Sequence, residues 1–358
     1  MKIDDASCRL IIYSLRMSNG NKYDMLSVPL VAGLLGGSAS TAILYPLDLV
    51  KVRLQVNETS AFAKKRTILG TMRYVVKYEG VVGIYQGLAP ALIGSAVSWG
   101  GFFYTYETCK NMMMTRKRKL QDVQPTEKIT LAATENFTAA CLSGAIMVAT
   151  TNPLWLIKTR MQLQMKKAQE EQALKLGREH VKPPYRNMAD AARTIVREEG
   201  ILALYKGAIP ALMLVSHGGV QFVSYEYLKK NFGAYTKATR SNNKDESGVW
   251  ERLQDSLGYL SMGAVSKIIA STITYPIQVI KSRLQQRNQT AEISATGEVE
   301  IVTREYKGVI DCAGRIWKRE GIVGFFKGSI PNAIRVAPSA AITFVVYEFV
   351  TDSMTSKS

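Results

Sequence analysis

One ten-residue phrase occurs three times in this chain. PLDLVKVRLQ begins at Pro46, PLWLIKTRMQ at Pro153 and PIQVIKSRLQ at Pro276. Each closes an apolar segment and is followed by a second phrase whose outer glycines stand seven apart: Gly80 and Gly87, Gly200 and Gly207, Gly321 and Gly328. A further apolar segment then ends each copy in Tyr-Glu, at Tyr106-Glu107, Tyr225-Glu226 and Tyr347-Glu348. Agreement in order, spacing and chemistry makes the chain three copies of one unit, so whatever fold one copy adopts must recur three times.

The apolar segments are about twenty residues long, the length that crosses a bilayer core. Six are expected, near 28–54, 89–112, 137–163, 209–229, 257–286 and 329–350. A mean hydropathy of −0.02 hides them, because the charges are collected between the apolar runs. The expected fold is an all-α membrane protein of three tandem repeats, each reading as spanning helix, kink, short amphipathic segment, turn and spanning helix. The repeats are placed at 27–112, 129–235 and 251–352, between an N-terminal extension at 1–26, linkers at 113–128 and 236–250, and a tail at 353–358. An even number of spans puts both termini on one side. The insertions KKAQEEQALKLGREHVKPP and NQTAEISATGEVEIVTRE read as polar, mobile loops. Gly33 with Gly37 and Ala140 with Gly144 carry small-residue spacing that marks helix contacts.

The same residues exclude several functions. Cys8, Cys109, Cys141 and Cys312 are scattered, without metal-ligand or disulfide spacing, and His180 and His217 are the only histidines. No nucleophile–base pair, P-loop or metal cluster is present, so neither an enzyme nor a cofactor is expected. The net charge of +17 fits anionic lipid or an anionic solute; no nucleic-acid motif accompanies it. Asp4 and Asp5 argue against a cleaved, acid-poor transit peptide.

The repeated phrase itself carries the chemistry. A proline inside a spanning helix removes a backbone hydrogen bond and bends the chain, so Pro46, Pro153 and Pro276 are expected kinks. Residues two and five places after each proline share a helix face: Asp48 with Lys51, Trp155 with Lys158, Gln278 with Lys281. A ring of such residues closes a pore through ion pairs and opens when they break. Charge inside a membrane is costly and marks function. Lys267 is such a charge, standing nine residues before Pro276 where the other copies have Gly37 and Gly144. Two readings stand for it, an anion contact in a cavity or a packed, snorkelling side chain.

These motifs resemble the mitochondrial carrier family, whose signature is Pro-x-[Asp/Glu]-x-x-[Lys/Arg]-x-[Lys/Arg]-x-Gln in three copies. The likeness runs from about Ser27 to Asp352. It implies six tilted helices with pseudo-threefold symmetry around a water-filled cavity, short matrix-side helices, alternating access and a gate on each face. Carried over by position, the matrix gate is Asp48, Lys51, Trp155, Lys158, Gln278 and Lys281, braced by Gln55, Gln162 and Gln285. Trp155 and Gln278 depart from the pattern by replacing acids, which leaves three lysines facing one aspartate. The cytosolic gate is Glu107, Lys110, Glu226, Lys229 and Glu348; Thr351 stands where the third cation is expected.

The resemblance also implies a solute. Trp155 is shared with the nucleotide and cofactor branch, and the segments SAVSWGGFFYTYE, VSHGGVQFVSYE, GAVSKIIASTITYPIQV and APSAAITFVVYE together look most like the folate and FAD transporters; NAD, pyrimidine-nucleotide and peroxisomal nucleotide carriers are the alternatives. Family contact positions fall on Gly94 and Ser95, Leu214 and Val215, and Arg335, whose planar fork suits carboxylate or phosphate. Trp99 is either a stacking platform or a packing residue, and His217 either a substrate contact or a hydrogen-bonded helix residue. By the same resemblance, cardiolipin or another anionic lipid docks at the turns of Gly87, Gly207 and Gly328 and at Gly308. The expected protein is a monomer of the mitochondrial inner membrane, with a peroxisomal or plastid membrane as the alternative.

Overall fold

A computed structural model describes residues 24–56, 67–121, 131–165, 184–240, 249–293, 299–303 and 306–355. Six long helical segments alternate with short helices. The order is α1 (Asp24–Val56), α2 (Ile68–Glu79), α3 (Leu88–Gln121), α4 (Ala133–Leu163), α5 (Met188–Glu199), α6 (Ala208–Met213), α7 (Ser216–Arg240), α8 (Val249–Gln285), α9 (Val309–Gly324) and α10 (Ser329–Thr355). The all-α repeat architecture is therefore the observed one. Among the described residues, four segments are long and apolar enough to cross a membrane: Val81–Arg118, Thr134–Leu163, Ile201–Asn231 and Ser329–Thr351. Pro46, Pro153 and Pro276 lie within α1, α4 and α8.

The insertion of the third copy departs from the expected loop. Gln289–Ile293 (β1) and Val299–Thr303 (β2) pair antiparallel, Glu292 opposite Glu300 and Ala291 opposite Ile301. The β-branched run Val-Glu-Ile-Val-Thr suits a pleated ribbon, which explains strands in a polar segment. The insertion of the second copy at 166–183, the N-terminal extension through residue 23 and Cys8 lie outside the described residues. Helices α3 and α7 run on to Gln121 and Arg240, into stretches that read as linkers. Cys109, Cys141 and Cys312 are free thiols, as expected.

The chain divides into two compact units. The larger takes Asp48–His217 and Thr274–Ser329, hence the C-terminal ends of α1 and α8, all of α4, and the short helices. Those short helices form where the sequence supplies caps. Thr67 Oγ1 accepts from the Gly70 N–H at 3.1 Å and Asn187 Oδ1 from the Asp190 N–H at 2.8 Å. Gly80 and Gly200 end α2 and α5 with φ of 76° and 84°, a left-handed backbone that glycine adopts without a steric penalty. Each buries one stripe: Thr71 and Val75 on α2, Ala191 and Ile195 on α5, Cys312 and Ile316 on α9. Ile195 packs with Leu156 of α4, and Ile316 with Tyr275 and Val279 of α8, so α5 and α9 are each anchored to a long helix.

The smaller unit gathers the described residues through Leu47 with Gly218–Ile273 and the chain from Ile330. Here α1 and α10 pack antiparallel: Ser40 Oγ and Ser339 Oγ are 2.8 Å apart, and a Cβ on Gly36 would sit 2.8 Å from the Thr343 carbonyl oxygen. Gly36 is the contact glycine. Gly33 and Gly37, expected from their spacing, face open space, so their pairing in sequence did not mark the packed face. Gly144 does mark one, with Val215 2.8 Å from its Cβ position.

Candidate functional site

The three repeated phrases converge in the larger unit around a cavity of about 270 Å³, lined by Asp48, Lys51, Trp155, Lys158, Gln278 and Lys281 among others. Lys158 Nζ lies 2.7 Å from Asp48 Oδ2, and both side chains are largely buried. Gln162 donates to the same oxygen at 3.1 Å. Lys51 donates to Gln278 Oε1 at 3.1 Å and stands 5.9 Å from the centre of the Tyr275 ring. The acid-replacing glutamine therefore takes a lysine, but as a neutral acceptor.

Trp155 fills the other acid position differently. Lys158 Nζ stands 5.3 Å from the centre of its ring, a cation–π contact added to the Asp48 pair. Its indole N–H donates to Ser98 Oγ at 3.3 Å, and its ring lies 3.8 Å from where a Gly94 Cβ would be. The flat ring beside Gly94 is thus the protein's own.

A second ring lies beneath the first, and it was missed in the sequence although its arginine recurs seven places after every proline. Arg53 Nε donates to the Gln162 carbonyl at 3.1 Å, Arg160 Nε to that of Gln285 at 3.2 Å, and Arg283 Nε to that of Gln55 at 2.9 Å. Each copy holds the next in a closed cycle. The glutamine side chains add to it: Gln55 Oε1 accepts from Ser282 at 2.7 Å and Gln285 Oε1 from Thr159 at 3.0 Å.

The cycle has one weak member. Arg160 grips Glu199 through both terminal nitrogens, and Arg283 grips Glu320 in the same way. Lys206 adds to Glu199 at 2.7 Å and Lys327 to Glu320. Burial opposes ionisation of Glu199, yet the bonds from Arg160 and Lys206 outweigh it and hold the carboxyl at about 2. In the first copy Arg53 instead turns its second nitrogen to the Gln164 carbonyl at 3.2 Å, and Glu79 receives a hydrogen bond from Gln86 at 3.2 Å.

The glycine turns belong to this assembly. Gly87, Gly207 and Gly328 have φ of 85°, 80° and 85°. A Cβ on Gly207 would lie 2.9 Å from Gln285 Cγ, and one on Gly328 2.9 Å from the Lys51 carbonyl oxygen. Both glycines thus seat the start of one copy's second long segment on the repeated phrase of the next copy. Gly308 precedes α9 with an extended φ of 166°.

The remaining candidates fall in different places. Leu214 and His217 line the cavity, whereas Val215 packs on Gly144. These residues occupy a break between α6 and α7, where the Val215 N–H bonds to the Leu212 carbonyl and that of His217 to the Leu214 carbonyl, both at 3.0 Å. Such i−3 bonds give about 2.0 Å of rise per residue against about 1.5 Å in an α-helix, so the two of them recover about 1 Å, most of the rise of one residue. The second copy is one residue short in this span, and the tightened turn makes up most of the difference. His217 Nδ1 pairs with Thr274 Oγ1 at 2.9 Å. Ser95 is half-buried; Trp99 is 64 % exposed and stacks on Phe103.

Lys267 and Arg335 belong to the smaller unit. Asn332 of α10 donates to Ser271 of α8 at 2.7 Å. One turn along each antiparallel helix from that bond stand Arg335 and Lys267, and the charge of Arg335 acts on Lys267. Of the second expected gate, Glu107, Glu226 and Glu348 are exposed, Lys110 and Lys229 are half-buried, and none of the five carries an ion pair among the described residues.

A family model described as "Mitochondrial carrier protein" matches this chain in three stretches, residues 25–117, 130–236 and 254–358. The chain belongs to the mitochondrial carrier family. This carrier is 36 % identical to a protein of Arabidopsis thaliana named folate transporter 1, chloroplastic, over 88 % of this chain and 92 % of the relative. It is 31 % identical to nicotinamide adenine dinucleotide transporter 1, chloroplastic, of the same plant, over 89 % of each chain. A peroxisomal nicotinamide adenine dinucleotide carrier, also from Arabidopsis thaliana, is 31 % identical over 89 % of this chain and 93 % of its own. The carrier is thus a membrane transporter by family, and its relatives are named for folate and NAD.

Proposed function

We propose that this carrier moves a large anionic cofactor, folate or FAD, across an organelle membrane by alternating access. The observation that carries the reading is the placement of Lys267 and Arg335 about one turn from the Asn332–Ser271 bond that joins α8 to α10, where the charge of one acts on the other. A lysine near an arginine draws an anion, and an arginine fork binds carboxylate or phosphate through two parallel hydrogen bonds. The likeness to a folate transporter supports the cofactor class, and the NAD-named relatives support a dinucleotide as the second reading. The matrix-side gate is the Asp48–Lys158 ring, and the glycine turns are docking points for anionic lipid at helix N-termini. The mitochondrial inner membrane is the proposed location.

A thermal-shift comparison of the purified monomer with folate, FAD, NAD and pyrimidine nucleotides tests the substrate, since a ligand that binds only the folded state raises the melting temperature. Folate or FAD should give the largest shift. A larger shift with NAD transfers the assignment to the second reading, and no shift with any anion removes both.

A further inference from the structure

The gate lysines follow a cyclic rule. The lysine of the second copy meets the acid position of the first (Lys158 to Asp48), and that of the first meets the acid position of the third (Lys51 to Gln278). Continuing the cycle, Lys281 of the third copy is matched with the acid position of the second. That position is Trp155, which has no negative charge and turns its one donor to Ser98.

Lys281 is half-buried in the cavity wall, beside Lys158, and makes no hydrogen bond or ion pair among the described residues. No hydrogen bond or ion pair joins it to Asp48, whose Oδ2 receives both Lys158 and Gln162. The wall thus holds three lysines and one carboxylate, with Lys158 paired to that carboxylate and Lys51 bonded to the Gln278 amide oxygen. Neighbouring hydroxyls do not compensate the third: Ser282 bonds Gln55 and Thr159 bonds Gln285.

We propose that an anionic group, carboxylate or phosphate, seats beside Lys281 and completes the gate ring in place of a side-chain acid at position 155. Two sources supply that chemistry, a free inorganic anion or the terminal group of the transported molecule; the second rests on the anion-carrier reading given above. In either case closure of this gate depends on an anion, because a partly desolvated lysine beside a second lysine disfavours the closed ring until it is neutralised. The seat is distinct from the Lys267–Arg335 pair, which lies on other turns and in the other unit.

The experiment is a thermal-shift titration of purified carrier at constant ionic strength, with inorganic phosphate in one arm and folate, FAD or NAD in the other. Wild type, Lys281→Gln and Trp155→Glu are compared. The expected result is a saturable rise of several degrees in wild type that is lost in Lys281→Gln, where no charge needs a partner. It should also be lost in Trp155→Glu, where the chain supplies its own acid. Should Trp155→Glu fail to fold, Lys281→Arg takes its place and must keep the response. A phosphate response assigns the seat to a free anion. A cofactor response that vanishes in Lys281→Gln, with phosphate inert, assigns it to the substrate. A phosphate response without any cofactor response keeps the seat and overturns the cofactor reading. Equal responses in wild type and Lys281→Gln, or no response to either class of anion, overturn the proposal.

Discussion

Lys158 Nζ lies 2.7 Å from Asp48 Oδ2, an ion pair that joins the repeated phrases of the first and second copies. Removing the charge of Asp48 leaves Lys158 with a tryptophan face and no counter-ion. Hydrogen bonds to charged groups contribute about 2 kcal/mol, so Asp48→Asn should shift the gate equilibrium roughly thirty-fold toward the open ring and slow transport. Gln278→Glu converts the Lys51 hydrogen bond into an ion pair and should restore part of the loss. Uptake by wild type, both single variants and the double checks this; a double variant no better than Asp48→Asn alone would remove the gating role.

The arginine cycle predicts unequal copies. Glu199→Gln and Glu320→Gln each break a two-pronged arginine contact and a lysine contact, whereas Glu79→Gln loses only a bond from Gln86. The first two should lower stability by about 3 kcal/mol at neutral pH, and the third by under about 1 kcal/mol. Melting temperatures of the three variants give the order directly. Three equal losses would contradict the asymmetry.

The depressed carboxyl of Glu199 also sets a pH dependence. Its folded value of about 2 lies below the 4.5 of an ordinary glutamate, so its contribution is fully present above about pH 4.5 and is lost as pH falls toward 2. The difference in melting temperature between wild type and Glu199→Gln should therefore be constant from pH 7 to about 5 and shrink below that. A difference that grows on acidification would overturn the assignment.

Glycine positions separate in a way that sequence spacing alone did not reveal. Gly207→Ala and Gly328→Ala place a Cβ both on a left-handed backbone and within 2.9 Å of the neighbouring gate helix, and each should cost about 2 kcal/mol or more. Gly33→Ala and Gly37→Ala meet open space and should leave the melting temperature unchanged or raised, since alanine favours the helix. Thermal unfolding of the four variants decides it.

What the sequence made legible follows from repetition. Apolar runs, kink prolines and the gate residues recur at matched positions, so three weak signals add up to one strong one, and the family follows from them. Asymmetric features were harder to read. The exchange of Glu79 for a weaker partner, the tightened turn at Leu214 and the seat of Trp155 on Gly94 each depend on contacts between copies, which no single copy encodes. Arg53, Arg160 and Arg283 were visible in every copy, but arginine is also the residue of lipid headgroup contacts. Only the carbonyls of Gln162, Gln285 and Gln55 distinguish its role here.

Transport itself is the most direct measure of the account. Purified carrier in liposomes should take up labelled folate or FAD with saturation. Arg335→Ala should abolish uptake without unfolding the protein, Arg335→Lys should lose most of it because an ammonium cannot form the two-pronged contact, and Lys267→Ala should raise the half-saturating concentration. Saturable uptake that depends on both cations is the predicted result. Uptake of none of these anions by folded wild type, or uptake indifferent to Arg335 and Lys267, would contradict the assignment of this carrier to an anionic cofactor.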